Sequence, residues 1–173
     1  MIEEKKVSGK SMTPSVSKVA PKSPTKPKPQ QSSKQVAIVL VRGLVRVPAP
    51  VKDTLHMLRL VRCNFGVVVH DTPAMHGMIT KVKDYVTWGE IDDDTFSELI
   101  QKRGHEFKGR VQDGKKNYSY ATFDFKGKKY KTYFRLNPPR KGFGRKGIKM
   151  GFAAGGALGY RGAAINDLIK RML

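Results

Sequence analysis

Apolar residues run unbroken from Val36 to Val41 in the stretch QVAIVLVRGL, and four of those six are β-branched. Such a run predicts a strand covered on both faces, because a half-exposed strand would alternate. Downstream, PAPVKDTLHMLRLVRCN sets Val51, Leu55, Leu58 and Val61 at helical spacing, with prolines only at its start, where a missing N–H is tolerated. This predicts an amphipathic helix. FGVVVH reads as a second strand, and TPAMHGMITKVKD as a second helix with Pro73 in its first turn. After the short extended piece YVTWGEI, DDDTFSELIQKRG predicts a third helix. Asp92 is its N-cap, acids crowd its positive end, Lys102 and Arg103 its negative end, and Gly104 stops it.

Residues 105 to 135 read as turns and strands: QDGKKN is a turn, YSYATFDF alternates apolar with polar, and KKYKTYFRL follows as extended chain. At the C-terminus, AAINDLIKRML repeats apolar positions at Ile165, Leu168, Ile169 and Met172, a helix laid on the core. The start is different. Residues 1–35 hold eight lysines, two glutamates, five of the ten prolines and no aromatic residue, too little apolar surface to offset the entropy of ordering. They are expected to form a disordered basic arm ahead of one folded domain, residues 36–173.

Charge narrows the function. Thirty-four Lys and Arg against fourteen Asp and Glu leave a net charge of +20 over 173 residues, which points to a polyanionic partner. The charge is segregated: Lys126 to Asn166 holds eleven basic residues and no acidic one, while seven of the fourteen acids fall between Asp84 and Glu106. No apolar run approaches the roughly 20 residues that span a bilayer, so no membrane partner is expected. One cysteine, Cys63, gives neither a disulfide framework nor a CxxC metal knuckle, in keeping with a reducing, cytoplasmic setting.

Catalytic and cofactor motifs fail on context. GFGRKG satisfies the glycine pattern of a dinucleotide site, but two prolines precede it and further glycines follow at 151, 155, 156 and 159, so no strand-to-helix turn forms there. GRVQDGKK satisfies GxxxxGK but places Lys116 where a Ser or Thr must reach magnesium. The four histidines lack metal-site spacing, and the Asp92–Asp94 cluster departs from a calcium loop at its sixth position, Ser97. No cofactor, metal or small-molecule substrate is expected, nor any enzymatic activity.

What remains is a basic, glycine-rich surface interleaved with aromatics. Arg42 and the helical stripe Lys52, His56, Arg59 and Arg62 suit either plain solvation or a phosphate backbone. Arg135, Arg140, Lys141, Gly142, Phe143, Arg145, Lys146 and Lys149 form a second group, and Tyr160, Arg161 and Gly162 a third. In these groups arginines are expected to fork onto phosphates, rings to stack on bases, and glycines to admit a second backbone closely. Tyr130, Tyr133 and Phe134 are the counter-case, strand aromatics of which at least half should fill the core.

Several of these stretches, taken in order, resemble a known family. LVRVPAPVKDTLHMLRLVRCNFGVVV, DTPAMHGMITKVKDYVTWGEID, LIQKRG, FRLNPPRKGF, GGALGYRG and INDLIKRML are similar to the archaeal and eukaryotic branch of the large-subunit ribosomal protein numbered thirty in bacteria and archaea and seven in eukaryotes. The similarity covers residues 36–104 and 132–173. It implies a two-layer, ferredoxin-like α+β sandwich, non-catalytic, that binds large-subunit rRNA close to 5S rRNA beside neighbouring large-subunit proteins. By position, Lys52, Arg59 and Arg62 match the family's basic helix, Pro138 to Phe143 its basic Pro-Pro loop, and Gly155, Gly156 and Gly159 to Gly162 its glycine turn. Residues 105–131 align poorly and stand as a variable insertion. A free-standing nucleic-acid chaperone and, more remotely, a nucleotide-binding enzyme using GFGRKG are the competing readings.

Overall fold

The computed structural model describes residues 34–115, 117, 118 and 120–173; of the expected basic arm, residues 1–35, all but Lys34 and Gln35 lie outside them, and Gln35 is the first residue of a strand. In chain order come β1 (Gln35–Leu40), α1 (Ala49–Met57), β2 (Phe65–His70), α2 (Pro73–Val82), β3 (Val86–Glu90) and α3 (Asp93–Arg103). They are followed by β4 (Thr122–Phe125), β5 (Lys128–Lys131), β6 (Tyr133–Arg135), β7 (Gly159–Tyr160) and α4 (Ala164–Met172). Five strands make one sheet in the order β6-β2-β1-β3-β7, antiparallel except for the parallel β3–β7 pair, and β4–β5 make a separate hairpin. The architecture is the expected α+β one, ferredoxin-like in setting helices against the sheet in layers, with α1 and α2 on one face and α3 and α4 adding a layer on the other. No helix among the described residues is long and apolar enough to cross a membrane.

The unbroken apolar run of β1 is explained by its central place in this sheet. Val36, Ile38 and Leu40 point into a core with Leu55 and Leu58 of the α1 region and Ile79 and Val82 of α2. Ala37 and Val39 point the other way, into a core with Leu99 and Ile100 of α3 and Ile165, Leu168, Ile169 and Met172 of α4. Both faces of the strand are therefore covered by helices. Full burial of each large aliphatic side chain here contributes roughly 1.5–3 kcal/mol.

The first helix is shorter than its sequence pattern predicts. α1 stops at Met57, and the chain turns through Arg59, whose φ is +62°. Leu60 N–H donates to Leu55 O at 2.9 Å and Arg59 N–H to His56 O at 3.0 Å, the paired bonds of a Schellman C-cap. The apolar contact that accompanies this cap is Leu60 with Leu55, both fully buried. Val61, expected on the buried face, is instead 43% exposed, and Leu60 takes its place in the core. The predicted basic stripe is broken by the same turn: Lys52 and His56 lie on the helix, Arg59 and Arg62 beyond it.

α3 keeps its predicted bounds, with Asp92 as N-cap residue and Gly104 following its last turn. Asp92 makes no side-chain cap, however; its N–H donates to Asn166 Oδ1 at 3.1 Å. Asn166 is buried on α4 and its Nδ2 also donates to Glu90 O at 3.2 Å, so one amide ties β3, α3 and α4 together. The extended run KKYKTYFRL divides at Thr132, β5 going to the hairpin and β6 to the main sheet. Phe134 fills the core, while Tyr130 and Tyr133 pack half-buried against it. The hairpin is fixed to α3 through Phe96, whose ring lies 6.1 Å from that of Phe123 and 6.3 Å from that of Phe125.

Candidate nucleic-acid interface

The segment PPRKGFGRKG lies against the C-terminal end of α4. Asn137 N–H donates to Met172 O at 3.0 Å and Arg140 N–H to Arg171 O at 3.1 Å, so the carbonyls left over at the helix end bind the loop. Gly142 N–H then donates to Pro139 O at 3.0 Å, closing a turn with Lys141 at φ +66° and Gly142 at φ +75°. No helix starts at Gly142, Gly144 or Gly147.

Two arginines fasten this loop from inside. Arg171 Nη1 donates to Gly142 O at 2.9 Å and Arg140 O at 3.2 Å, while its Nε is bonded to Asp167 Oδ2 at 3.1 Å. Arg161, 7% exposed, donates from Nε to Thr87 Oγ1 at 2.9 Å and from Nη2 to Phe143 O and Ala157 O, both at 3.0 Å. Phe152 covers its guanidinium at 4.6 Å. Burial, then the charge of Arg171, lowers the Arg161 pKa, and Asp167 partly opposes this. A guanidinium stays charged in such surroundings, and its fixed fork suits two carbonyls and a hydroxyl held in three different segments.

These contacts bear on what the sequence leads one to expect of Arg161, Phe143 and the loop glycines. Arg161, expected to fork onto phosphate, spends its Nε and Nη2 donors within the protein. Phe143, expected to stack on bases, is half-buried against the core that holds Val41, Ala157 and Leu158. Gly144 packs against the chain's own backbone, since a Cβ there would come within 2.6 Å of Gly156 O, whereas a Cβ at Gly142 would meet nothing within 4 Å.

What faces solvent is the charge. Arg140, Lys141, Arg145, Lys146 and Lys149 are all exposed, and none has an ion-pair partner among the described residues. A cleft of about 420 Å³ opens between the loop and α4, with Lys141, Arg145, Arg161 and Arg171 around it. Its one carboxylate, Asp167, is already bonded to Arg171. Arg161 and Arg171 already donate to protein oxygens, so Lys141 and Arg145 are the cations of this cleft without an ion-pair or hydrogen-bond partner among the described residues, a charge that suits an anion. Tyr160 stands 56% exposed, its O–H donating to Glu90 Oε1 at 2.7 Å. That bond, with some burial, pushes the Tyr160 pKa up. Gly162 follows in a left-handed conformation at φ +55°.

The remaining predicted residues fall into a looser group. Arg42 is held by Asp84 O at 3.2 Å and lies 5.0 Å over the Tyr85 ring. Lys52 is half-buried, whereas His56, Arg59 and Arg62 are exposed. Arg135 is exposed on β6, 5.9 Å from the stacked rings of Phe65 and Tyr133. Beside it, burial and then Arg135 and Lys131 lower the His105 pKa. Sequence reasoning missed Arg171, whose spacing of four from Asp167 was the available signal, and Arg46, exposed at φ +58°. It also missed Asn166, for which the sequence carries no signal.

The model of the Ribosomal protein L30p/L7e family matches residues 36–86, from β1 through both flanking helices to the start of β3. The chain is 43% identical over 149 residues to the large ribosomal subunit protein uL30 of Methanopyrus kandleri, covering 77% of this chain and 100% of that protein. It is 44% identical over 151 residues to the uL30 proteins of Methanococcus maripaludis and Nanoarchaeum equitans, covering 79% of this chain and 98% and 97% of theirs. All three sources are archaeal. With identity at this level across nearly the whole of each relative, the chain belongs to the uL30 family of large ribosomal subunit proteins.

Proposed function

We propose that this chain is a non-catalytic structural constituent of the large ribosomal subunit, and that it binds large-subunit rRNA near 5S rRNA by neutralising phosphates. The observation that carries the reading is the division of labour in the loop Pro138–Gly147. Arg161 and Arg171 spend donors on the loop's carbonyls, so Arg140, Lys141, Arg145 and Lys146 project from a shape already set. Preset cations pay little ordering entropy when an RNA backbone arrives. Arg42, Lys52, His56, Arg59, Arg62, Arg135 and Lys149 add charge, and the exposed ring of Tyr160 offers a stacking face. Phe143 and Gly162 shape the loop and the turn behind these groups.

The test is rRNA affinity as a function of salt. A variant with Arg140, Lys141, Arg145 and Lys146 all changed to Ala is expected to lower the slope of log affinity against log salt by about three, with unchanged thermal unfolding. An unchanged slope would sink the reading. Fragments with and without 5S rRNA test the location. Stoichiometric sedimentation with large subunits in high-salt sucrose gradients separates a structural constituent from a free chaperone.

A further inference from the structure

A second opening, far larger in apolar surface than in polar, lies between the end of β2 and the β4–β5 hairpin. Its volume is about 540 Å³, and Val68, Phe96, Phe123 and Phe134 supply apolar walls. Three observations describe what it would accept. First, no Lys or Arg lines it, although the chain carries 34 of them. Its charged wall is Asp124, exposed and without an ion-pair partner among the described residues, and Asp71 follows the lining residue His70. Second, the side-chain oxygen Oε1 of Gln35, another lining residue, is buried without a hydrogen-bond partner. A carbonyl oxygen so placed costs stability until a donor reaches it. Third, β6 reaches along β2 only as far as Val67, opposite Tyr133, so no strand of the described residues lies outside Val68 and Val69.

An RNA strand is a poor occupant, since no Lys or Arg lines the apolar walls and the single cation beside the carboxylate of Asp124 is its cross-strand neighbour Lys129. We propose that this groove docks an extended segment of a neighbouring protein, bearing an apolar side chain beside a Lys or Arg. The apolar side chain fills the space among Val68, Phe96 and Phe123. The cation meets Asp124, an N–H meets Gln35 Oε1, and the segment's backbone extends the sheet beyond β6. The groove and the cation loop would then engage opposite chemistries. This rests on the ribosomal reading above only in the choice of particle.

The test replaces Met75, at the groove wall, with an aliphatic diazirine amino acid in the full chain, assembled into large subunits and irradiated. The same residue placed at Arg145 confirms that cross-linking works in the particle. The expected product at position 75 is a cross-link to another polypeptide at a stretch pairing an apolar residue with Lys or Arg. Asp124→Lys, on the exposed hairpin, should reduce its yield at least fivefold, and Gln35→Leu should reduce it less. A cross-link to rRNA, a cross-link only within the chain, no cross-link, or a yield indifferent to Asp124→Lys overturns the proposal. A chain that does not sediment with the subunit fails the ribosomal reading instead, so the two failures are distinguishable.

Discussion

Two surface turns present cations to solvent, Leu58–Asn64 after α1 and Pro139–Gly142 beside α4, and they are held by opposite means. After α1 the fastening is apolar and backbone: Leu60 is driven into the core against Leu55, and the Schellman bonds follow. Arg59 occupies the left-handed position only because the chain must turn there. Beside α4 the fastening is itself cationic, for Arg171 and Arg161 hold the carbonyls of the turn and of Phe143. Charge in a basic protein thus has two separate uses, and exposure and donor commitment distinguish them where residue type does not.

The sharpest way to break this comparison is to remove each fastening. Leu60→Ala deletes a fully buried side chain and should cost about 2–5 kcal/mol in denaturant unfolding. Its effect on rRNA binding should be no more than the unfolded fraction explains. Arg161→Ala withdraws three charge-assisted bonds from Thr87, Phe143 and Ala157 and should cost about 2–4 kcal/mol. Here the rRNA affinity of the folded fraction should also fall, because the loop loses its preset shape, yet the salt slope should stay near that of the parent chain. A slope that falls by a full unit would mean that Arg161 contacts phosphate after all.

Arg171→Ala is a smaller version of the same test. Arg171 is half-buried, and its bonds to Arg140 O and Gly142 O are near the surface, so a loss of about 1 kcal/mol is expected by thermal melting. It also frees Asp167, placing an unpaired carboxylate in the cation cleft. Affinity for rRNA should therefore fall more than stability does, and Asp167→Asn in the same chain should restore part of it. No restoration would show that the cleft receives no anion.

Much of this arrangement was readable beforehand, and the unread part has a common cause. β1, α3 and α4 carry their periodicity in the side chains that build the core, so their place and burial follow from the spacing of Val36–Val41 and of Ile165, Leu168, Ile169 and Met172. The end of α1 was misplaced because Val61 continues the helical period while Leu60, one residue earlier, satisfies the core through a left-handed Arg59. Nothing local distinguishes the two. The burial of Arg161 escaped the sequence for a related reason. A guanidinium within a basic, glycine-rich stretch suits phosphate and protein oxygens equally, and one of the oxygens it meets, Thr87 Oγ1, comes from β3, 74 residues away.

Arg59→Gly gives the smallest effect but separates the two uses of charge most directly. At φ +62° an L side chain crowds its own backbone, and glycine does not. The Schellman bonds depend on the backbone and on Leu60, so they persist in the variant. Glycine's greater freedom in the unfolded chain offsets part of the gain. A net stabilisation of about 0.5–1 kcal/mol is expected, visible as a rise in Tm. The same change removes one exposed cation, so the salt slope of rRNA binding should fall by about one if Arg59 meets a phosphate. Stability and affinity would then move in opposite directions from a single substitution, which neither fastening residue can produce. A variant that gains stability with an unchanged slope would restrict the phosphate contacts to the α4 side and leave Arg59 as a solvated turn residue.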